Sequence, residues 1–215
     1  MTISPETFLT AARSARALIA EPVVAAAWAQ ASVLPGFSVG GLASHLGAQV
    51  VVSAGLLRAP VPDGPVVSAL EHYARATWVQ ADRDAEVNIA IRDRGERSAG
   101  EGPEALLAAV DGALATLDAD LLTADSSRPV PAPAGAWALP LAEALLTRSV
   151  EITVHLDDLA VSVGLPTPDL PDDVTHPVLG LLAATAARRH GQAAVLRVLT
   201  RPERAPGAIA VFGPA

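Results

Sequence analysis

Apolar residues recur along most of this chain at the three-and-four spacing of helices; the alternation expected of strands is scarce. Ser4-Pro5-Glu6 opens the first helical segment. It offers a capping hydroxyl, a proline where a missing N–H does no harm, and an acid at the positive end of the helix dipole. The segment runs to about Ala31, with a break expected at Pro22. Pro35-Gly36 marks a turn, and Ser38 can cap a second helix from about Val39 to Arg58. Pro65 opens a third helical region that fades in the charged run Arg92 to Arg97, and Pro103 starts a fourth that reaches about Leu122. Ser126 to Pro140 is expected to be a long irregular connection, with the stretch around Trp137 folding over the mouth of a site. A fifth helix covers Leu141 to Val163, and Pro177 begins a sixth that stops near His190-Gly191. Ala193 to Thr200 suits a helix or a strand, and Ala208 to Phe212 either pairs with it or packs. The expected class is all-α: one helical bundle over residues 1–165, with a C-terminal extension, 166–215, packed on it as part of the same globular unit.

The fifth helix is unusual. At about 100° per residue, Leu145, Ile152, Leu156, Leu159 and Val163 form one apolar stripe, and Val150, Val154 and Val161 a second. Between them runs a polar ridge, Arg148, Glu151, His155 and Asp158, at spacings of three, four and three. Solvent-facing charges ordinarily lie opposite the core, whereas this ridge has apolar surface on both sides and needs partners. Two readings follow. The residues pair along the helix, each pair contributing about 0.2–0.5 kcal/mol, or Glu151 and His155, four apart on one face, ligate a metal as bundle proteins do. A metal requires a further ligand. Of the five histidines, His45 is best placed, in line with Leu42, Gln49, Val52 and Leu56 on an inward face, although a hydrogen-bonded core histidine would look the same. His72 reads as a surface or packing residue, His176 as a turn residue, and His190 as a partner of a helix C-terminus.

Composition narrows the chemistry. No Cys means no disulfide, no thiolate ligand and no protein thiol nucleophile, so sulfur chemistry would need a small-molecule thiol. The basic residues are all Arg, which excludes a Schiff-base or phosphate-loop lysine. With a net charge of −8 and no basic patch, no nucleic-acid partner is expected. The N-terminus lacks the order of a secretory signal, and the apolar run Leu42 to Leu57 falls short of the about 20 residues a membrane span needs. The expectation is a cytoplasmic protein with no membrane partner. An H-E-x-x-H zinc signature, a G-x-S-x-G elbow and a dinucleotide fingerprint are all missing from the sequence.

Two segments resemble the mycothiol-dependent maleylpyruvate isomerase family, within the wider DinB-like group of metal-binding four-helix bundles. They are Leu34-Pro-Gly-Phe-Ser-Val-Gly-Gly-Leu-Ala-Ser-His45-Leu and Arg148-Ser-Val-Glu151-Ile-Thr-Val-His155-Leu-Asp-Asp158-Leu. The run from Arg188-Arg-His-Gly to Ala205 is also similar to members of the group. The resemblance implies a four-helix bundle with extra helices and a short C-terminal element. It makes His45, Glu151 and His155 the ligands of a divalent metal, zinc, with an open position for a water or thiolate. Mycothiol, a small thiol of actinobacteria, would be the co-substrate. Phe37 stands where the family has Trp, and Gly40-Gly41 replaces a polar pair. The tail is short beside the isomerase's C-terminal domain, so maleylpyruvate itself is not the expected substrate.

The implied activity is transfer or isomerisation, with mycothiol adding to a small electrophile. Asp158 would orient His155, and Arg148 would meet an anionic part of thiol or substrate, or else pair with Glu151 or another acid. The resemblance assigns no further catalytic residue. Two competitors use the same residues: zinc-hydroxide hydrolysis, and a non-enzymatic bundle binding a small molecule or partner.

Overall fold

The computed structural model describes residues 2–132 and 136–213. In chain order its helices are α1 (Pro5–Ile19), α2 (Pro22–Ala26), α3 (Val39–Arg58), α4 (Ala69–Arg75), α5 (Thr77–Gln80), α6 (Glu86–Ala99), α7 (Pro103–Asp120), α8 (Leu141–Ser162), α9 (Asp172–His190) and α10 (Gln192–Thr200). Four of them make the bundle. Around its axis the order is α1, α7, α3, α8, so α3 and α8 are neighbours and α1 and α3 face each other diagonally. The core fills from all four, with Phe8 and Ile19, Leu42 and Leu46, Val110 and Leu117, and Leu145, Ile152, Leu156 and Leu159 buried. Each such side chain contributes roughly 1.5–3 kcal/mol on leaving water. α6 lies along α3, α9 covers α8 and α1, and α10 packs on α9. Along its length and by its mean hydropathy of 1.3, α3 is apolar enough to cross a membrane, but 72% of that stretch is buried inside the bundle.

Several elements differ from the sequence expectations. Pro65 opens no helix: the chain stays extended to Ser68, which caps α4 through its Oγ, and Ala76 and Ala81 to Ala85 break the region into three pieces. The run Arg92 to Arg97 sits inside α6, because Asp93, Arg94 and Arg97 face outward while Gly95 is pressed against α3. Pro177 lies within α9, whose start is moved upstream by Asp172 and Asp173 in the first turn. Asp173 also accepts a hydrogen bond from Thr7 Oγ1 at 3.0 Å, which ties that start to α1. Ser126 to Pro140 is not wholly irregular, since Pro129–Pro131 (β1) pairs antiparallel with Ala138–Pro140 (β2); residues 133–135 lie outside the described residues. The tail resolves as the helix α10 and a strap, 208–213, that packs rather than pairs. On α8, the second apolar stripe is buried at Val150 but exposed at Val161; likewise Val52 of α3 is exposed.

The start of α3 explains its two glycines. Ser38 Oγ accepts the Gly41 N–H at 2.9 Å, the expected cap. Glu96 reaches across from α6 and accepts the Ser38 N–H at 2.7 Å and its hydroxyl at 2.9 Å. A Cβ on Gly41 would stand 1.9 Å from Glu96 Oε1, and one on Gly40 would stand 2.6 Å from the Trp28 ring. The absent side chains let an acid and an indole seat directly on the first turn of the helix that carries His45. Gly41→Ala should therefore cost about 2 kcal/mol through overpacking and a displaced carboxylate, read as a fall in Tm. An unchanged Tm would mean that Glu96 does not fix this helix start.

His72 on α4 is buried, and its Nδ1 accepts the Trp137 Nε1–H at 3.1 Å, so the imidazole is neutral there. Burial, and secondarily the charge of Arg148, push it down to about 4, with Glu151 opposing. Its unfolded value is near 6.5, so between those two values the unfolded chain binds the extra proton. Stability is then full above pH about 6.5 and falls as the pH drops towards 4, by up to about 3 kcal/mol. Denaturant midpoints at pH 7 and pH 4.5 should differ more for the wild-type protein than for His72→Gln; equal differences would remove His72 as the cause.

Candidate metal centre

The ridge of α8 faces the neighbouring α3. Glu151 and His155 are one turn apart on α8, and His45 lies early in α3, within the stretch fixed by Ser38 and Glu96. His45 Nε2 and His155 Nε2 approach the same carboxylate oxygen, Glu151 Oε2, at 3.6 and 3.5 Å. The two imidazoles stand edge to face with centroids 4.7 Å apart. One ligand atom from each residue lies within 4.8 Å of the others. These N···O separations are long for hydrogen bonds, which centre near 2.9 Å. They are close to the edge of a tetrahedron with ligand bonds of about 2.0–2.1 Å, roughly 3.4 Å. Two imidazole nitrogens and a carboxylate oxygen are also the donor types that zinc takes in open sites. The residues present could therefore hold one divalent ion. Their side chains keep 12–18% exposure, so the cluster is reachable from solvent.

The electrostatics are those of a coupled set. Burial works against an ionised Glu151, yet His155 and His45, with the Arg148 charge behind them, hold its carboxyl well below the usual range. Burial likewise disfavours a charged His155, but Asp158 and Glu151 together raise it to about 9. His155 Nδ1 and Asp158 Oδ2 are 2.9 Å apart. That contact keeps the proton on Nδ1 and turns Nε2 toward Glu151, the orientation a ligating histidine needs. Asp157, next along, instead accepts a hydrogen bond from Thr167. Phe37, at the loop before α3, sits 5.8 Å from the His45 ring. Ser162 accepts the Val33 N–H at 3.0 Å and donates to the Asp158 carbonyl, which joins that loop to the end of α8.

Arg148 does not pair with Glu151 as one sequence reading had it. It is buried, and among the described residues its guanidinium meets no acid at ion-pairing distance. Its Nη1 donates to Gln49 Oε1 at 2.8 Å, and Gln49 Nε2 donates to the His45 carbonyl at 2.9 Å. This strut links α8 to α3 one turn away from the His45–Glu151 contact. Sequence reasoning saw Gln49 only as part of an inward line; its spacing of four from His45 was the available signal. Glu96 carried no such signal, because its role depends on α6 lying beside α3. His72 and Tyr73, the chain's one tyrosine, lie on α4, within electrostatic range of Glu151 and Arg148.

No curated protein sequence matches the chain. A solved structure of a histidine-to-alanine mutant of the mycothiol-dependent maleylpyruvate isomerase shares its fold, with a TM-score of 0.53 and 21% identity over 87% of this chain and 72% of that one. A second structure of the mycothiol-dependent maleylpyruvate isomerase is 23% identical over the same shares, with a TM-score of 0.48. The family model of the mycothiol maleylpyruvate isomerase N-terminal domain matches residues 8–160, which run from within α1 to all but the end of α8 and include the whole cluster. The chain belongs to the mycothiol maleylpyruvate isomerase N-terminal domain family.

Proposed function

We propose that this protein is a metal-dependent transferase or isomerase that uses mycothiol on a small electrophile, with His45, Glu151 and His155 holding one zinc ion. The observation that carries the reading is the convergence of two imidazole nitrogens on one carboxylate oxygen at 3.5 and 3.6 Å. A divalent ion held there would supply positive charge that lets a bound thiol ionise near neutral pH. The chain's residues do the rest. Asp158 holds the proton on His155 Nδ1 and keeps Nε2 free to ligate. Gln49 joins α3 to α8 by holding the Arg148 guanidinium one turn from the three donors. Two neutral histidines and one carboxylate leave a divalent site with one net positive charge, and Arg148 adds another beside it. Such a site attracts an anion, and the guanidinium is the group that would orient an acidic electrophile.

The protein as purified should contain about one zinc per chain by plasma mass spectrometry, lost in His45→Ala and in Glu151→Ala, as removal of one of three ligands implies. It should transfer mycothiol to a chlorinated bimane only when metal-loaded. Arg148→Met should keep its metal and the reaction with that neutral bimane, yet lose about tenfold in kcat/KM for a carboxylate-bearing electrophile. Metal-loaded protein that turns over without any thiol would point to hydrolysis instead. No metal in the wild type, and none taken up from added zinc, would end the enzymatic reading.

A further inference from the structure

Among the described residues, four leucines stand more than half exposed: Leu122, Leu179, Leu196 and Leu199. Three of the four lie on α9 and α10, and Leu199, at 69%, is the most exposed large hydrophobic of all. α10 packs on α9, yet of its nine residues only Val195 is buried. Along α9 the exposed positions Asp172, His176, Leu179 and Ala183 recur at spacings of four, three and four, which is one face of the helix. Single exposed leucines are ordinary, whereas several on one packed pair of helices mark a surface that another body covers.

The charges around these leucines are sorted. Residues 159–187 contain three Asp and no Arg, whereas residues 188–204 contain five Arg and one Glu. α9, about 28 Å long at 1.5 Å per residue, begins with Asp172 and Asp173 and ends with Arg188, Arg189 and His190. Its dipole favours that order. The dipole does not account for Arg197, Arg201 and Arg204, which are exposed on and just beyond α10. Arg204 meets only its neighbour Glu203, at 3.6 Å, and among the described residues Arg197 and Arg201 have no carboxylate at ion-pairing distance. At the acidic end Asp172 meets only His176, at 3.8 Å, with its side chain 90% exposed.

A surface with acids at one end, bases at the other and leucines between them is complementary to itself when a second copy is turned end for end. We propose that the exposed face of α9 and α10 is a two-fold interface through which this protein dimerises. The acidic start of α9 in each copy lies against the basic α10 of the other, with Leu179, Leu196 and Leu199 between. A two-fold contact uses one patch twice, and leucines inside a charged rim are the usual anatomy of an interface. The sorting of charge favours a second copy over an anionic lipid surface, which would attract Arg197, Arg201 and Arg204 but repel Asp169, Asp172 and Asp173. His45, Glu151 and His155 lie on α3 and α8, so the interface does not depend on the metal-centre reading.

The test is the mass of the full chain by sedimentation equilibrium, from about 1 to about 300 μM. At the upper end the wild type should approach twice the 21.9 kDa of one chain. Raising the salt from about 0.05 to about 0.5 M should weaken the dimer, because the rim charges are screened. Leu199→Ser should raise its Kd about tenfold. Reversing the basic end (Arg197→Glu with Arg201→Glu) or the acidic end (Asp169→Arg with Asp172→Arg) should each weaken it about tenfold. All four reversals in one chain should restore it, since both ends then change sign together. These side chains are exposed, so far-UV circular dichroism should stay that of the wild type. A wild type that stays monomeric throughout would overturn the proposal, and its sedimentation with phosphatidylglycerol vesicles would then assign the face to lipid. A dimer that Leu199→Ser and both end reversals spare would overturn it too, as would a fourfold variant no tighter than its parents.

Discussion

A carboxylate that stays ionised inside a helical bundle has to be compensated, and in this protein that group is Glu151. A bare buried charge costs several kcal/mol even after relaxation. Every polar residue around Glu151 acts on that cost. His155 and His45 approach one of its oxygens from two different helices, and Arg148 adds positive charge from the previous turn. Asp158 then balances His155, and Gln49 satisfies Arg148. The set works only if α3 and α8 run side by side at a fixed register. The requirement to satisfy one charge thus becomes a requirement on the packing of the whole bundle.

The register has its own cause at the start of α3. A helix whose first turn carries two glycines is weakly formed by propensity. It is held instead by Ser38 within the chain and by Glu96 and Trp28 from outside it. Both outside groups occupy space that side chains at positions 40 and 41 would fill. His45 follows within two turns. Its position therefore depends on contacts made by α6, a helix with few buried residues of its own.

What the sequence revealed and what it hid divide along a physical line. Apolar spacing and capping residues are local, and they marked α1, α3, α7 and α8 closely: Ser4 and Ser38 cap where expected, and α8 ends one residue from the expected limit. Where a breaker and a tertiary contact compete, the contact prevailed. Pro177 suits a helix start, yet the bond between Thr7 and Asp173 ties the start of α9 upstream of it. The break-up of 65–85 turns on extended backbone at Ala76, Ala81 and Ala85, where alanine, the best helix former, gives no warning. The chemistry was visible as a ridge because its spacing is local. The Arg148–Gln49 bond and the Glu96 cap were not, since each joins residues far apart in sequence.

The same spacing that made the ridge visible also left it ambiguous. Residues three and four apart on a helix meet whether they form ion pairs or ligate an ion, so α8 alone distinguishes nothing. Information enters with the second helix. If the ridge served pairing alone, Arg148 would be expected on Glu151, one turn away, where opposite charges attract most cheaply. It turns instead to a neutral amide on α3, and the carboxylate oxygen is left to two imidazoles standing farther off than hydrogen bonds require. An ion-pair ridge would gain more from a direct Arg148–Glu151 bond than from that arrangement. A site for a cation does, because a guanidinium bonded to Glu151 would compete with the ion for the same oxygen. The placement of Arg148 off the carboxylate is thus an argument for a metal that the ligand residues alone do not supply.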